Sequence, residues 1–230
     1  MSAWREQFGP SILSPGRPAL AGELCVRLTT RSILAMSVVT RLEQLIAANQ
    51  AGRPALVVEL GRLVLAEQPD LVPALMIYGV ALSSLARHAE ASVVFEHALR
   101  IAPPEEYRRI YQELGHLHCA CGELREAEDA YRRAIATAPQ DASPYIYLGA
   151  MFARMGRLEE AEALHRDATQ CIDGCRDEAW LNLGFVLRAQ GRYLEALECF
   201  RQVLSLDPDD ANAAAAVADL EQVLFAFPEA

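Results

Sequence analysis

Between residues 38 and 226, apolar side chains recur at intervals of three and four residues, with polar side chains between them. This spacing places the apolar side chains on one stripe of an α-helix. The stripes come in pairs. In three of the pairs a glycine lies between the first stripe and the second: Gly122, Gly156 and Gly191. A glycine in this place supplies the left-handed backbone that ends a helix. Alternating runs rich in Val, Ile and Thr, which are typical of strands, are missing. The pattern predicts an all-α chain built from helical hairpins.

The hairpins return with a period of roughly 34 residues, which is typical of stacked supersecondary units. An anchor glycine marks the same place in successive first helices: Gly79, Gly115, Gly149 and Gly184. In the second helices an alanine recurs, at Ala91, Ala127, Ala161 and Ala196. Four residues after each alanine stands a ring: Phe95, Tyr131, His165 and Phe200. Small residues let two helices approach closely, and the rings are expected to fill the gap to the neighbour.

Two further places complete the repeated motif. An aromatic residue or leucine stands four residues before each anchor glycine, at Leu75, Tyr111, Tyr145 and Trp180, and prolines close three of the units at Pro103, Pro139 and Pro208. This order of residues resembles the tetratricopeptide repeat family. The resemblance implies a right-handed α-solenoid of about five helix-turn-helix units. It also implies a C-terminal capping helix, because the last repeat would otherwise expose its stacking face.

The resemblance divides the chain into three parts. Residues 1–37 are interpreted as an N-terminal extension that is disordered or is a non-native start, since Met36 stands directly before the first repeat. The array covers 38–210, with repeats at about 38–71, 72–105, 108–141, 142–175 and 177–210. Residues 211–230 form the capping helix and a tail.

The first repeat is degenerate, because Leu45 and Gly61 stand where a glycine and an aromatic residue are expected. The rhythm also breaks in later places, each of which predicts a local change in stacking angle. Extra residues occur at 104–107 and at Arg176. His165 replaces an aromatic residue, and 173–174 reads Asp-Gly instead of Pro.

The formal charge of −10 argues against nucleic acid or an anionic membrane as the main partner. All 21 basic residues are arginine, which we associate with the codon usage of a GC-rich, bacterial genome. No apolar run approaches the roughly 20 residues that cross a bilayer. A continuous apolar core of a signal peptide is also missing. We therefore expect a cytoplasmic protein.

The six cysteines do not follow the spacing of a structural zinc site. Cys171 and Cys175 are close enough in sequence for a disulfide or a metal, and His118 with Cys121 share a helix face. Only two ligands converge on that face, whereas zinc takes three or four. Packed-core roles are favoured, and we expect no metal and no cofactor. No motif of nucleophilic, nucleotide-binding or dinucleotide-binding enzymes occurs, so we expect no catalytic activity.

The family resemblance also implies that the first helix of each repeat lines a concave groove for a partner. Carried over to this chain, it gives a set of groove residues: Met76, Arg109, Gln112, His116, Ile146, Arg154, Leu181, Phe185 and Arg188. Arginine forks bind carboxylates in a bidentate manner. We therefore expect an unidentified peptide or protein with acidic and hydrophobic residues, held through Arg154, Arg188 and Phe185. The alternative is that these arginines are solvated or pair with neighbouring carboxylates such as Glu178.

These inferences favour a non-catalytic scaffold or adaptor that binds an extended or helical peptide in its groove. Two other functions stay open. One is a regulatory partner of a separate transferase-type enzyme. The other is a metal-responsive or redox-responsive adaptor that uses Cys119, Cys121, Cys171 and Cys175.

Overall fold

A computed structural model of the protein describes residues 37–227. The interpretation of the N-terminal extension, with Met36 as the native start, falls on residues 1–36 and lies outside the described residues. Cys25 and the last residues of the tail, 228–230, lie outside them as well.

Residues 37–227 form eleven α-helices and no β-strand, which confirms the prediction of an all-α fold. The helices are α1 (Val38–Gln50), α2 (Pro54–Glu67), α3 (Val72–Ser84), α4 (His88–Ile101), α5 (Tyr107–Cys121), α6 (Leu124–Thr137), α7 (Ala142–Arg154), α8 (Leu158–Gln170), α9 (Arg176–Ala189), α10 (Tyr193–Leu206) and α11 (Ala211–Ala226). A short 3₁₀ helix, Pro104–Glu106, precedes α5. The chain divides after Ala86 into two compact units. The first contains α1 to α3, and the second contains α4 to α11.

In the first unit, the first repeat packs although it lacks the anchor glycine and the ring of the motif. A Cβ atom built on Gly61 would lie 2.6 Å from the ring of Tyr78 on α3, so this close approach requires a glycine. Leu45, which stands at the place of the anchor glycine, is fully buried. The ring that packs on the second helix therefore comes from the next helix of the chain. Arg41 on α1 is buried as well and forms an ion pair with Glu67 at 2.5 Å.

In the second unit, glycines with left-handed backbone turn the chain from the first helix of a hairpin into the second. The φ angle is +79° at Gly122, +76° at Gly156 and +77° at Gly191. The N–H of the next residue then donates to a carbonyl five residues earlier, at 2.9–3.0 Å in all three turns. This hydrogen bond satisfies a carbonyl that the end of a helix would otherwise leave without a donor.

Each of these hairpins closes over a glycine slot, defined as the space beside the anchor glycine that receives a ring from the second helix. The pairs are Gly115 with Tyr131, Gly149 with His165, and Gly184 with Phe200. A Cβ atom built on any of the three glycines would lie 2.5–2.7 Å from the nearest ring atom. The rings therefore fit only because the glycine has no side chain.

The loop after α8, which has no proline, is fixed by the loop before α7. The N–H of Asp173 donates to the carbonyl of Gln140, and the N–H of Ala142 donates to the carbonyl of Asp173, each at 3.0 Å. Gly174 has φ +93°, and a Cβ atom there would lie 3.1 Å from the backbone nitrogen of Ala142. Glycine at 174 thus allows two successive loops to pair.

The last helix, α11, closes the stack by covering the apolar surface of α9 and α10. Its buried side chains join one core cluster with those of the two preceding helices: Leu183, Leu187, Phe200, Val203, Ala213, Ala216 and Leu220. The predicted role of 211–226 as a capping helix agrees with this packing.

Candidate functional site

The helices α5, α7 and α9 run in the same direction, because each is followed by a second helix that brings the chain back. Side chains at helical spacing on these three helices form one partly exposed surface, here named the A-helix face. It consists of Arg109, Gln112, Glu113, His116, Tyr147, Arg154, Glu178, Asn182, Phe185 and Arg188. Six of the nine groove residues predicted from the sequence belong to this face.

The other three predicted groove residues are buried. The exposed fraction is 4% for Met76 on α3, 2% for Ile146 on α7 and 5% for Leu181 on α9. Ile146 packs against Ala168 of the neighbouring helix α8 in a core cluster. These three side chains stand three residues before the anchor position, as the partly exposed Gln112 does, but they are buried. They contribute to stability and offer no surface to a partner.

Arg109 and Arg188 form ion pairs with carboxylates other than Glu178. Arg109 pairs with Glu106 at 3.4 Å. Arg188 pairs with Asp219 of the capping helix at 3.6 Å, and its guanidinium lies 5.2 Å from the centre of the Phe185 ring. Both ion pairs are partly exposed, so water and salt weaken them. A partner carboxylate can therefore compete for either arginine.

Arg154 is one of the residues that line a partly open pocket of about 160 Å³. The other residues that line it are Cys119, Leu124, Met151 and Met155. The sulfur atom of Cys119 lies 3.6 Å from that of Met151. The lining is largely apolar and adaptable because it contains two thioethers. The pocket thus combines apolar side chains with one guanidinium.

His116 belongs to a cluster of rings between α5, α6 and α7. Its Nδ1 atom and the hydroxyl of Tyr131 form a hydrogen bond at 2.9 Å. The ring centre of His116 lies 4.4 Å from that of Tyr147 in an edge-to-face arrangement. Burial lowers the pKa of His116 to about 4, so the imidazole is neutral near pH 7. His116 therefore fixes the shape of the face and does not contribute a charge.

Two carboxylates that the sequence prediction did not include in the groove share this face. Burial raises the pKa of Glu113 to about 7, although Arg109 acts in the opposite direction. Burial, and then Asp177, raises the pKa of Glu178. Within residues 37–227, neither carboxylate accepts a hydrogen bond or forms an ion pair. Glu113 stands two residues before its anchor glycine, as Asn182 does, and that register was the signal available in the sequence.

The described residues give no support to metal or disulfide chemistry. In the range 37–227 no three or more His, Cys, Asp or Glu side chains come together in a way that could hold a metal ion. Cys119, Cys121, Cys171, Cys175 and Cys199 are free thiols. Burial raises the pKa of Cys119, Cys171 and Cys199, which keeps these thiols protonated.

No helix within residues 37–227 has both the length and the apolar character that a membrane span requires.

Comparison with known proteins agrees with the repeated architecture. Tetratricopeptide repeat profiles match residues 72–105, 108–151 and 177–210. Human tetratricopeptide repeat protein 7A is 35% identical over 104 residues, which are 45% of this chain and 12% of that protein. The chain thus matches only a small part of the length of this relative.

Two solved structures share the fold at lower identity. The thermophilic TPR protein TTC0263 of Thermus thermophilus superposes with a TM-score of 0.59 at 20% identity, over 81% of this chain and all of that one. YrrB, described as a TPR protein with an unusual peptide-binding site, superposes with a TM-score of 0.53 at 18% identity, over 78% of this chain and 91% of that one.

The helical hairpins, the glycine slots and the matches to repeat profiles agree with one another. The chain belongs to the tetratricopeptide repeat family.

Proposed function

We propose that the protein is a non-catalytic interaction scaffold whose A-helix face binds an extended or helical segment of another protein. The observation that carries this proposal is the pocket at Arg154, which is lined by apolar side chains and one guanidinium. Such a pocket suits an apolar side chain next to a carboxylate. The peptide-binding site named for the structural relative YrrB supports the same kind of function.

The segment that binds is proposed to contain hydrophobic and acidic residues. Phe185 is partly exposed and packs edge-to-face on Phe200 at 5.2 Å, so it presents a rigid apolar surface. Arg188 lies beside that surface, and its partner Asp219 is mostly exposed. A carboxylate of the partner that replaces Asp219 would gain a charge-assisted hydrogen bond. We propose a cytoplasmic setting, because the five described cysteines are free, as expected of a reducing compartment.

Affinity capture from the native host, followed by mass spectrometry, identifies candidate partners. Direct binding is then measured with the purified full chain and with the double variant Arg154→Glu and Arg188→Glu. The double variant should weaken binding about tenfold or more, since it replaces attraction by repulsion at two places. The matched control is Arg125→Glu and Arg133→Glu, because both residues are exposed on the second helix α6. Unchanged affinity of the Arg154/Arg188 variant would refute the proposal.

A further inference from the structure

The pocket that Arg154 lines has the size of one side chain. Its volume of about 160 Å³ is well below the roughly 300–1,000 Å³ of pockets that hold drug-sized ligands. It is close to the ~150 Å³ of an engineered protein cavity that binds benzene. The lining includes Leu124 and Met155, which are exposed, and Met151, which is buried. The pocket therefore suits a single ring that a partner inserts from the surface.

Sulfur atoms make up much of the apolar lining of this pocket. Three of the four apolar side chains that line it carry sulfur: Cys119, Met151 and Met155. The sulfur atoms of Cys119 and Met151 lie 3.6 Å apart. Thioether sulfur makes favourable contacts with aromatic rings, with the sulfur about 5 Å from the ring. Because a saturated side chain of the same size does not gain these contacts, the lining favours an aromatic side chain over an aliphatic one.

The guanidinium of Arg154 is a second reason to expect a ring. Guanidinium groups stack on the faces of aromatic rings. The chain itself shows this contact nearby, since Arg157 lies 3.8 Å from the centre of the Phe152 ring. Arg188 lies 5.2 Å from the centre of the Phe185 ring. Stacking uses the flat face of a guanidinium and leaves its N–H groups for a carboxylate, so one segment can offer Arg154 both groups.

We infer that the pocket at Arg154 receives the phenyl ring of a phenylalanine from the protein segment that binds the A-helix face, and that the two thioethers and the guanidinium select this ring. The inference rests on the proposed function and specifies the apolar side chain of the partner. Among the five described residues that line the pocket, no side chain offers an oxygen or nitrogen acceptor. The hydroxyl of a tyrosine or the N–H of a tryptophan would lack such an acceptor there, so phenylalanine fits best.

Small probes test the pocket directly on the full chain. N-acetylphenylalanine carries the ring and a carboxylate, N-acetylcyclohexylalanine has a saturated ring, and N-acetylphenylalanine amide lacks the carboxylate. Each probe is titrated into protein with isotope-labelled methionine methyl groups. The ring current of N-acetylphenylalanine should shift the signals of Met151 and Met155. The signal of Met76, which is buried on α3 outside the pocket, should not move.

The order of the affinities tests the selection of the ring. A cyclohexyl ring is more hydrophobic than a phenyl ring, so a pocket that is only apolar binds the cyclohexyl probe more tightly. We expect the reverse order, with N-acetylphenylalanine at least about threefold tighter, because sulfur–aromatic and cation–π contacts are worth factors of this size. A cyclohexyl probe that binds equally well or better would overturn the inference.

Substitutions of matched volume separate the sulfur contacts from the shape of the pocket. Met151→Leu with Met155→Leu keeps the volume of the lining and removes both thioethers. The double variant should bind both ring probes, but its preference for the phenyl probe should fall about threefold or more. Saturation-transfer measurements on the probes give these affinities. Met76→Leu makes the same substitution outside the pocket and should keep the preference. An unchanged preference in the double variant would refute selection by the thioethers.

Peptides connect the pocket with the proposed function and distinguish the two proposals. A random peptide library displayed on phage is selected with the full chain, and the strongest peptide is synthesised with phenylalanine, cyclohexylalanine or leucine at its apolar position. If its binding depends on Arg154 and Arg188 but leucine or cyclohexylalanine binds as well as phenylalanine, the inference is wrong and the proposed function stands. If no selected peptide is sensitive to Arg154→Glu with Arg188→Glu, the proposed function fails, and the inference fails with it.

Discussion

In the fourth repeat (142–175, repeat 4) the ring that enters the glycine slot is the imidazole of His165. In the fifth repeat (177–210, repeat 5) it is the phenyl ring of Phe200. The two slots have the same geometry, because a Cβ atom on Gly149 or Gly184 would lie 2.7 Å from the nearest atom of His165 or Phe200. Both rings are fully buried. The Nδ1 atom of His165, however, has no hydrogen-bond partner in the described part of the chain. The close approach of the helices is thus set by the glycine, and the chemistry of the ring is free to vary.

The difference between these repeats concerns energy and pH rather than shape. A buried polar atom without a partner costs about 1–3 kcal/mol. Burial lowers the pKa of His165 to about 4, which keeps the ring neutral near pH 7. We therefore expect repeat 4 to be less stable than repeat 5 and to be the more sensitive of the two to acid.

Truncation of the two rings should give the largest difference. Phe200→Ala should lower the free energy of unfolding by about 3–5 kcal/mol, because it deletes a fully buried aromatic side chain. His165→Ala should cost less, since it removes packing together with a nitrogen atom that has no partner. Urea titrations give the two free energies, and hydrogen exchange shows which helices open. Val93→Ala, at an exposed position on α4, is the control and should change stability by less than about 0.5 kcal/mol. An equal loss for the two truncations would contradict the comparison.

Replacing the imidazole by the ring of the neighbouring repeat should remove the difference. His165→Phe should raise the free energy of unfolding at pH 7 by about 1–3 kcal/mol, because no buried nitrogen is left without a partner. The slots of Gly115 and Gly184 accept Tyr131 and Phe200 at similar distances, which indicates that a phenyl ring fits.

The advantage of this variant should grow in acid. The pKa of His165 is about 4 in the folded protein, against an ordinary value of 6.5. Between these values the unfolded chain binds more protons, so His165 lowers stability as the pH falls from 6.5 to 4. The shift corresponds to about 3 kcal/mol over that window. His116 has the same direction of shift, and Glu113 has the opposite one. Both remain in the variant, so the measured quantity is the difference between variant and parent at each pH, and a difference independent of pH would contradict the assignment.

The slots were largely predictable from the sequence because each consists of two residues at a fixed register. The period identified Gly149 and the ring position of His165, although it did not indicate that the ring enters the space beside the glycine of its own hairpin. The pairing of the loops at Asp173 and Gln140 was not predictable, since it joins segments about one repeat apart and depends on how the repeats stack. The sequence Asp-Gly at 173–174, in place of a proline, indicated only that this loop would differ from the loops that close the other repeats.

The A-helix face was predictable in part. The family resemblance placed Arg154 and Phe185 on it, because only their register within one helix of the motif was needed. The burial of Ile146 depends on the neighbouring helix, and the pairing of Arg188 with Asp219 depends on the capping helix. Such contacts join elements that are distant in sequence, and a family motif does not specify them. Glu113 was missed although its register was visible, because the motif was applied at four positions of each first helix and this one was omitted.

The smallest predicted effect tests whether the difference between the repeats lies in the slot or on the outer surface. Arg157 bonds Glu160 in its own repeat at 2.5 Å and reaches Glu128 of repeat 3 at 3.3 Å. Arg192 repeats this arrangement, with Glu195 at 2.6 Å and with Glu162 of repeat 4 at 2.7 Å. Arg157→Ala and Arg192→Ala should each lower the free energy of unfolding by about 0.2–1 kcal/mol, because partly exposed ion pairs contribute little.

The two losses should agree within about 1 kcal/mol, although the Arg157 guanidinium also lies 3.8 Å from the centre of the Phe152 ring. Both should shrink in 1 M salt, where the screening length falls to about 3 Å. Urea titrations at low and high salt measure both, with Arg201→Ala as the control for an exposed pair that joins α10 to Glu221. If the loss for Arg192→Ala exceeds the loss for Arg157→Ala by about 2 kcal/mol, the extra stability of repeat 5 comes from the outer surface and not from the slot. Equal losses would leave the ring in the slot as the feature that separates two otherwise matching repeats.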